Sequence, residues 1–282
     1  MKAMAGRLLI LGGGYAGGAA AALARAVGWQ VQVTTRCAPG PGEVPFDDPA
    51  PFRAATHLLA TAPPGEAGDP AWARHAAALR AAPLEWVGYL STTGVYGDRG
   101  GAAVDEATPP APMQPRSVQR LAAERQWQTL PCAVDVMRVG GIYGPGRSAF
   151  DDLRDGTAKR VVKPGHAFGR IHRDDIARAC LAAMEGPDGP RILHLVDDEP
   201  AEPRHVVEEA ARLLGVDPPP ELPFADAWAR MSEMARSFWG ESRRVLNRRT
   251  KAALGLEWRY PSYREGLRAI LAEERGEGVA QQ

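Results

Sequence analysis

The sequence predicts an α/β protein: a doubly wound parallel sheet with helices on both faces and a small C-terminal lobe. Three observations predict it. A strand-like run, Leu8-Leu9-Ile10-Leu11, breaks into Gly12-Gly13-Gly14-Tyr15-Ala16-Gly17 and then into an alanine-rich helix reaching about Val27. Short apolar runs then recur between helix-length segments, the spacing of right-handed strand-helix-strand crossovers that build parallel sheets. After Gly146 this alternation gives way to short pieces, and from Pro203 onward to helices.

The glycine turn comes first. Gly12 lets the chain leave the strand sharply, Gly14 lets the backbone approach a pyrophosphate without a Cβ in the way, and Gly17 lets the helix pack closely on the strand. Phosphates then sit on the unpaired N–H groups and positive dipole end of the helix, with Tyr15 and Ala16 in the same loop. G-x-G-x-x-G alone is a weak pattern, but here it lies between an apolar strand and a helix, as in a Rossmann fold. The second strand, 30–34, should end beside the adenosine ribose, where an NAD enzyme places Asp or Glu. This chain has Thr34-Thr35-Arg36, and no carboxylate until Glu43. Arg36 offers a planar, permanently charged fork suited to a 2′-phosphate, so Thr35 and Arg36 favour NADP over NAD. The alternative is an Arg36 that caps the strand in solvent or stacks on adenine.

A third strand over 56–62 closes at Pro63-Pro64-Gly65, which brings Ala62 and Pro63 to the carboxyl edge of the sheet, where ligands bind. A helix over 72–82 follows. A fourth strand, 84–90, delivers Ser91-Thr92-Thr93-Gly94-Val95-Tyr96-Gly97 to the same edge. The helix over 116–129 carries Glu124 and Arg125 on the side expected to be exposed. A fifth strand, 133–139, ends in Gly140-Gly141-Ile142-Tyr143-Gly144-Pro145-Gly146. Beyond it come a short helix over 150–159, a short strand over 160–163, a helix after His172 with Asp174 as its expected N-cap, and a buried strand over 191–196. The division that follows is a dinucleotide-binding part at 1–146 with 168–198 returning to it, a lobe from 147–167 and 199–275, and a mobile tail at 276–282. Pro218-Pro219-Pro220 reads as a stiff connector.

Composition narrows the class. The 282 residues carry 34 basic and 34 acidic side chains, so no global field recruits nucleic acid or anionic lipid. Cys37, Cys132 and Cys180 are odd in number and widely spaced, which suggests neither a disulfide framework nor a metal site. No stretch approaches the roughly 18–20 apolar residues of a membrane span. Lys2, Arg7 and the apolar run imitate a secretory signal, but the glycine cluster interrupts it, so a cytoplasmic location is expected.

Four segments in order and spacing, Gly12–Gly17, Ser91–Gly97, Ile142–Gly146 and Arg170–Ala177, resemble the extended short-chain dehydrogenase/reductase family. The chain looks closest to its shorter, atypical branch of NAD(P)-dependent epimerase/dehydratase-like proteins, to which Thr61-Ala62-Pro63-Pro64-Gly65 also points. The resemblance implies a Tyr-x-x-x-Lys pair on the helix after the fourth strand and a Ser or Thr at that strand's end. Thr92 matches the latter. The Tyr position is Arg116 and the Lys position is Arg120; no lysine occurs between Lys2 and Lys159. Arg120 can still offer charge and hydrogen bonds to a ribose. Arg116 cannot exchange protons near neutral pH, and a missing general acid or base costs roughly 10²–10⁴ in rate.

A proton must then come from Tyr96, Tyr143, His166, His172 or a water held by Thr92, unless the substrate needs none, as an iminium or activated alkene would not. Tyr143 has the best claim because it follows a strand at the ligand edge, and His166 is expected to be the most exposed. Arg147, Arg170 and Arg173 could bind an acidic substrate or form a solvated face. The expected function is therefore an NADP-dependent oxidoreductase acting on a small molecule. A non-catalytic NADP sensor and a nucleotide-sugar epimerase or dehydratase are the alternatives. The resemblance also implies a homodimer through the helices near 71–82 and 116–129, with Trp72, Leu79, Leu121 and Trp127 as apolar contacts or as residues turned into the sheet.

Overall fold

A computed structural model describes residues 6–277, apart from the side chain of Met234. The central sheet has seven parallel strands in the order β11-β7-β5-β4-β1-β2-β3. They are β1 (Arg7–Leu11), β2 (Gln30–Thr35), β3 (Glu43–Pro45), β4 (His57–Ala60), β5 (Trp86–Thr92), β7 (Ala133–Val139) and β11 (Arg191–Leu195). From β1 the chain runs outward through β2 and β3, then returns to the other side of β1 and runs outward again through β4, β5, β7 and β11. The reversal lies between β1 and β4, and the crevice beyond the carboxyl ends of those strands is where open α/β sheets bind ligands.

Alternation along each strand sends successive side chains to opposite faces. Leu8 and Ile10 meet Ala16, Ala20 and Ala24 of α1 (Tyr15–Ala26) and Ile176, Ala179 and Ala183 of α5 (Arg173–Glu185). Leu9 and Leu11 turn the other way, into a cluster with Trp72 and Leu79 of α2 (Pro70–Ala81) and Ala123 and Trp127 of α3 (Pro115–Trp127). Asp69 caps α2 through the Ala71 and Trp72 N–H groups, and its other oxygen accepts from Trp127 Nε1 at 3.0 Å, which locks the two helices together. Trp72, Leu79 and Trp127 are buried at 3%, 1% and 0% exposure. They turn into the sheet, so contacts between copies through α2 and α3 would fall to other residues.

The strand over 43–45 was not expected. It is three residues long with a proline at its end, an edge strand whose pairing with Val33, Thr34 and Thr35 comes from β2 rather than from its own pattern. The fourth main strand sits two residues later than expected, which places Ser91 and Thr92 inside it.

The lobe is built from short pieces. Helix α4 (Ala149–Arg154) is shorter than expected; a capping box from Ser148 and Asp151 starts it, and Gly156 at φ +66 follows its end. Two-stranded pairings join β8 (Gly141–Tyr143) to β10 (Arg170–His172), β9 (Arg160–Val162) to β12 (Glu221–Pro223), and β6 (Ala103–Val104) to β13 (Arg244–Val245). Helices α6 (Pro203–Leu214) and α10 (Tyr263–Glu274) pack with Tyr143 and Phe150 into a separate apolar cluster. Helices α7 (Phe224–Arg230) and α8 (Glu233–Trp239) lead to the sheet edge, and α9 (Arg248–Leu254) returns beneath β11. Positions 278–282 of the expected tail lie outside the described residues. No helix among the described residues is long and apolar enough to cross a membrane.

Glu124, expected on the exposed side of α3, is 1% exposed and bonded to Arg138, which is 4% exposed. The guanidinium donates from Nε at 3.2 Å and from an amino nitrogen at 2.7 Å, and Ser91 Oγ donates to the same carboxylate at 2.5 Å. Glu124 and Trp127 share the inner face of α3 by their i, i+3 spacing, and burial of this carboxylate is tolerable only because it is paired. Removing either charge alone, as in Glu124→Gln or Arg138→Met, is expected to cost about 3–5 kcal/mol in urea unfolding. The double variant Glu124→Leu with Arg138→Met should lose much less than the sum.

Candidate active site

The glycine turn follows β1 directly. Gly12 sits at φ +107, a conformation only glycine adopts readily. Its N–H donates to Thr34 Oγ1 at 3.1 Å and its carbonyl accepts from Thr61 Oγ1 at 2.8 Å, so the ends of β2 and β4 clamp the turn. A Cβ on Gly17 would stand 2.2 Å from the Gly12 carbonyl oxygen, which is why α1 can start so close to the strand. A Cβ on Gly14 would meet nothing within 4 Å. The space over the turn is open, no acidic residue occupies the first turn of α1, and the turn therefore fits a dinucleotide pyrophosphate.

Around this turn the structure gathers the other candidate cofactor residues at one sheet edge. Ala16 is buried at the start of α1. Tyr15 donates to the Pro145 carbonyl at 2.9 Å, its ring flanked by the guanidiniums of Arg147 and Arg173 at 5.7 and 5.1 Å. Thr35 ends β2, its hydroxyl accepting from the Cys37 N–H at 3.1 Å, and Arg36 beyond it is exposed. Ala62 and Pro63 follow β4.

A cleft of about 640 Å³ runs from this edge to the lobe, lined by the ends of β4, β5 and β7, by α3, and by α8 with the segment after it. Thr92 lies at its floor, and its hydroxyl accepts from the Gly94 N–H at 3.1 Å. Arg116 and Arg120, four residues apart on α3, both line it. Arg120 donates to the Leu90 carbonyl at 2.8 Å and to the Tyr89 hydroxyl at 3.1 Å. Burial pushes that hydroxyl up to about 12 despite the guanidinium beside it, so Tyr89 stays neutral. Arg116 donates to Ser237 Oγ at 3.1 Å and lies over the Phe238 ring at 4.2 Å. Arg120 thus braces the strand end, and Arg116 joins α3 to the lobe.

The expected proton donors are elsewhere. Tyr143 is not among the residues that line the cleft; its hydroxyl donates to the Ser262 carbonyl at 3.3 Å, within the lobe cluster, and burial raises its pKa further. Tyr96 is fully buried, its ring under Arg138 and its hydroxyl 2.5 Å from His194 Nε2. The other ring nitrogen faces the Leu246 carbonyl at 2.6 Å and burial keeps His194 neutral, so Nδ1 donates there and Nε2 accepts from Tyr96. His166 is 3% exposed, not the open loop residue expected, because its ring stacks on Trp239 and meets the edge of Phe168. Burial, aided by Lys163, drives it down to about 4. His172, not Asp174, caps α5: its Nδ1 accepts from the Asp174 N–H at 3.2 Å. Burial lowers it to about 4 as well.

Arg170 is turned inward, donating to the carbonyls of Phe168 and Ala201, while Arg147 is exposed at the cleft. Ser237, Phe238, Trp239, Glu241 and Arg243, which complete the cleft wall, are not marked by any motif. They lie on a seven-residue helix and the segment after it, with no motif and no periodicity long enough to place them. Among the described residues no group of His, Cys, Asp or Glu is arranged to hold a metal.

Sheet order, glycine turn and C-terminal lobe together define an extended short-chain dehydrogenase/reductase fold of the NAD(P)-dependent epimerase/dehydratase type. No family model matches the chain. A functionally unknown conserved protein from Silicibacter pomeroyi is 40% identical, with a TM-score of 0.86 over 95% of this chain and 99% of that one, and the two belong to one family. The human epimerase family protein SDR39U1, solved with NADPH, is 22% identical with a TM-score of 0.80 over 97% of this chain and 100% of its own. MoeE5, solved with UDP-glucose and NAD, is 21% identical with a TM-score of 0.76 over the same shares. A 3-diazoavenalumate denitrifying reductase from a Streptomyces species is 36% identical over 140 residues, 47% of this chain and 45% of that protein. The chain spans about half the length of the curated relatives it matches.

Two outcomes test the site's construction. Gly14→Ala, at φ −66 with open space around it, should fold like the parent yet lose affinity for NADPH, whereas Gly17→Ala should lower stability by about 1–3 kcal/mol, read by thermal unfolding and NADPH fluorescence. For His166 the folded pKa of about 4 lies below the unfolded value of about 6.5. Between these values the unfolded chain binds a proton that the folded protein refuses, so the wild type loses stability as pH falls from about 6.5 to about 4. The stability gap between His166→Phe and the wild type should therefore move in favour of the variant across that window. A constant gap would contradict it.

Proposed function

We propose that the protein is an NADP-dependent reductase of a small molecule whose reacting centre needs no proton from a side chain. One observation carries this reading: among the described residues, no tyrosine, lysine or histidine lines the cleft. Bound NADPH supplies a hydride. The chain's part is to hold the turn open at Gly14, to meet the 2′-phosphate with Arg36, to orient the substrate with Thr92, and to fix the strand end with Arg120 near the nicotinamide ribose.

An iminium carbon accepts hydride as the electron pair moves to nitrogen, and no proton is required. An activated alkene takes its proton from water. Epimerases and dehydratases of this fold rely on the tyrosine that Arg116 replaces, which favours reduction over sugar-nucleotide chemistry. The name of the Streptomyces relative, a denitrifying reductase of a diazo compound, supports reduction as well. A cleft lining without tyrosine, lysine or histidine also suits a non-catalytic NADP sensor, the second reading.

NADPH oxidation followed across a panel of carbonyl, imine and enone compounds separates the two: turnover of an imine or enone is expected, and tight NADPH binding without turnover would favour the sensor. Arg36→Ala is expected to weaken NADPH by about tenfold or more, as befits a charge-assisted contact, and to leave NADH nearly unchanged. Equal losses for the two nucleotides would overturn the preference for NADP.

A further inference from the structure

Five guanidiniums line the cleft, those of Arg116, Arg120, Arg147, Arg170 and Arg243, against the single carboxylate of Glu241. Their partners distinguish them. Arg243 pairs with Glu241 at 2.7 Å and donates to the Gly97 carbonyl. Arg170 is spent on two backbone carbonyls, and Arg147 lies against Tyr15 beside the glycine turn. Arg116 and Arg120 have neutral partners, a serine hydroxyl for the first and a tyrosine hydroxyl with a backbone carbonyl for the second; neither forms an ion pair among the described residues.

Two like charges at i and i+4 on one helix face repel each other. An anion bound at Arg116 offsets the repulsion and makes charge-assisted hydrogen bonds to that guanidinium. Arg116 uses one amino nitrogen on Ser237, which leaves the rest of its five-donor fork for a ligand. Its guanidinium lies over the ring of Phe238, a residue 52% exposed, and Phe168 and Trp239 also line the cleft. Cation and open ring surface therefore stand side by side in a cleft whose one acid is already neutralised.

We propose that the substrate is an aromatic or conjugated molecule with one anionic group, the anion received by Arg116 with Arg120 beside it and the ring laid against Phe238. This rests on the reading of the cleft as the substrate site of an NADP-binding protein. A guanidinium fork fits a carboxylate or a phosphate monoester equally well, so the shared requirement is a planar or tripodal oxyanion on an apolar ring.

The test uses the full chain saturated with NADP⁺ and measures binding of benzoate, phenyl phosphate and neutral benzamide by calorimetry. At least one of the two anions is expected to bind about tenfold or more tighter than benzamide, a difference of about 1.4 kcal/mol. Preference for benzoate assigns a carboxylate, and preference for phenyl phosphate assigns a phosphate; either supports the subsite. Arg116→Gln should abolish the discrimination while NADPH affinity stays unchanged. Normal NADPH binding with equal affinities for all three probes in the wild type would overturn the anion subsite alone. A wild-type protein that binds no NADPH would overturn the cofactor reading and the proposal resting on it. The wild-type comparison decides even where the variant does not fold.

Discussion

The ion pair between Arg138 and Glu124 fixes the sheet edge on which the cleft is built. Arg138 reaches from β7, Glu124 from α3, and Ser91 of β5 closes the group one residue before Thr92. The charges are fully desolvated, so neither can be displaced without exposing the other to an apolar interior, and the three elements are held in one register. The guanidinium also lies 4.7 Å from the centre of the Tyr96 ring, and Tyr96 continues the chain of contacts to His194 on β11 and from there to Leu246 and Thr250. A polar seam thus runs from the floor of the cleft to the far strand of the sheet. Satisfied at each step, such a seam rigidifies a core; half-satisfied, it would loosen one.

Above this floor, the two arginines that α3 turns to the cleft set what the helix can do. Both side chains are guanidiniums, so α3 contributes positive charge and donated hydrogen bonds to this edge. Arg120 turns toward the backbone and ties down the carbonyl of Leu90. Arg116 turns toward the lobe and lies over one face of Phe238. The neutral histidines nearby are withdrawn behind aromatic rings or used as caps, and Tyr143 is given over to the packing of α10. Chemistry in such a cleft depends on electrostatics and on the reactivity of the bound molecules.

Much of the scaffold was legible because it rests on local rules. Leu8–Leu11 alternates between two buried faces, Gly12 and Gly17 occupy positions where a Cβ is strained or blocked, and the spacing of the later strands follows from crossover length. What failed depended on tertiary partners. Glu124 looks solvent-facing in a polar helix until Arg138, fourteen residues on, is folded against it. His166 lies between a glycine and an alanine, and nothing local says that Trp239 will stack on it. Asp174 is a residue type that suits an N-cap, yet the helix starts one residue before it, and His172 caps it by accepting from the Asp174 N–H. The cleft wall was the least legible part, since Ser237 and Phe238 come from a short helix without periodicity, brought to α3 by a contact more than a hundred residues away in sequence.

The excursion that carries that wall is pinned at both ends. Before it, Leu222 pairs with Val161; after it, Arg244 and Val245 pair with Ala103 and Val104, while the Ser242 carbonyl accepts from the N–H groups of Arg99 and Gly101. Residues 224–239 between the two fastenings form two short helices and contribute no strand to the main sheet. The stretch that shapes the outer wall of the cleft and the glycine turn at its other end are thus separate along the chain. Substitutions at Ser237, Phe238 and Trp239 would reshape the outer wall of the cleft at a distance in sequence from the glycine turn.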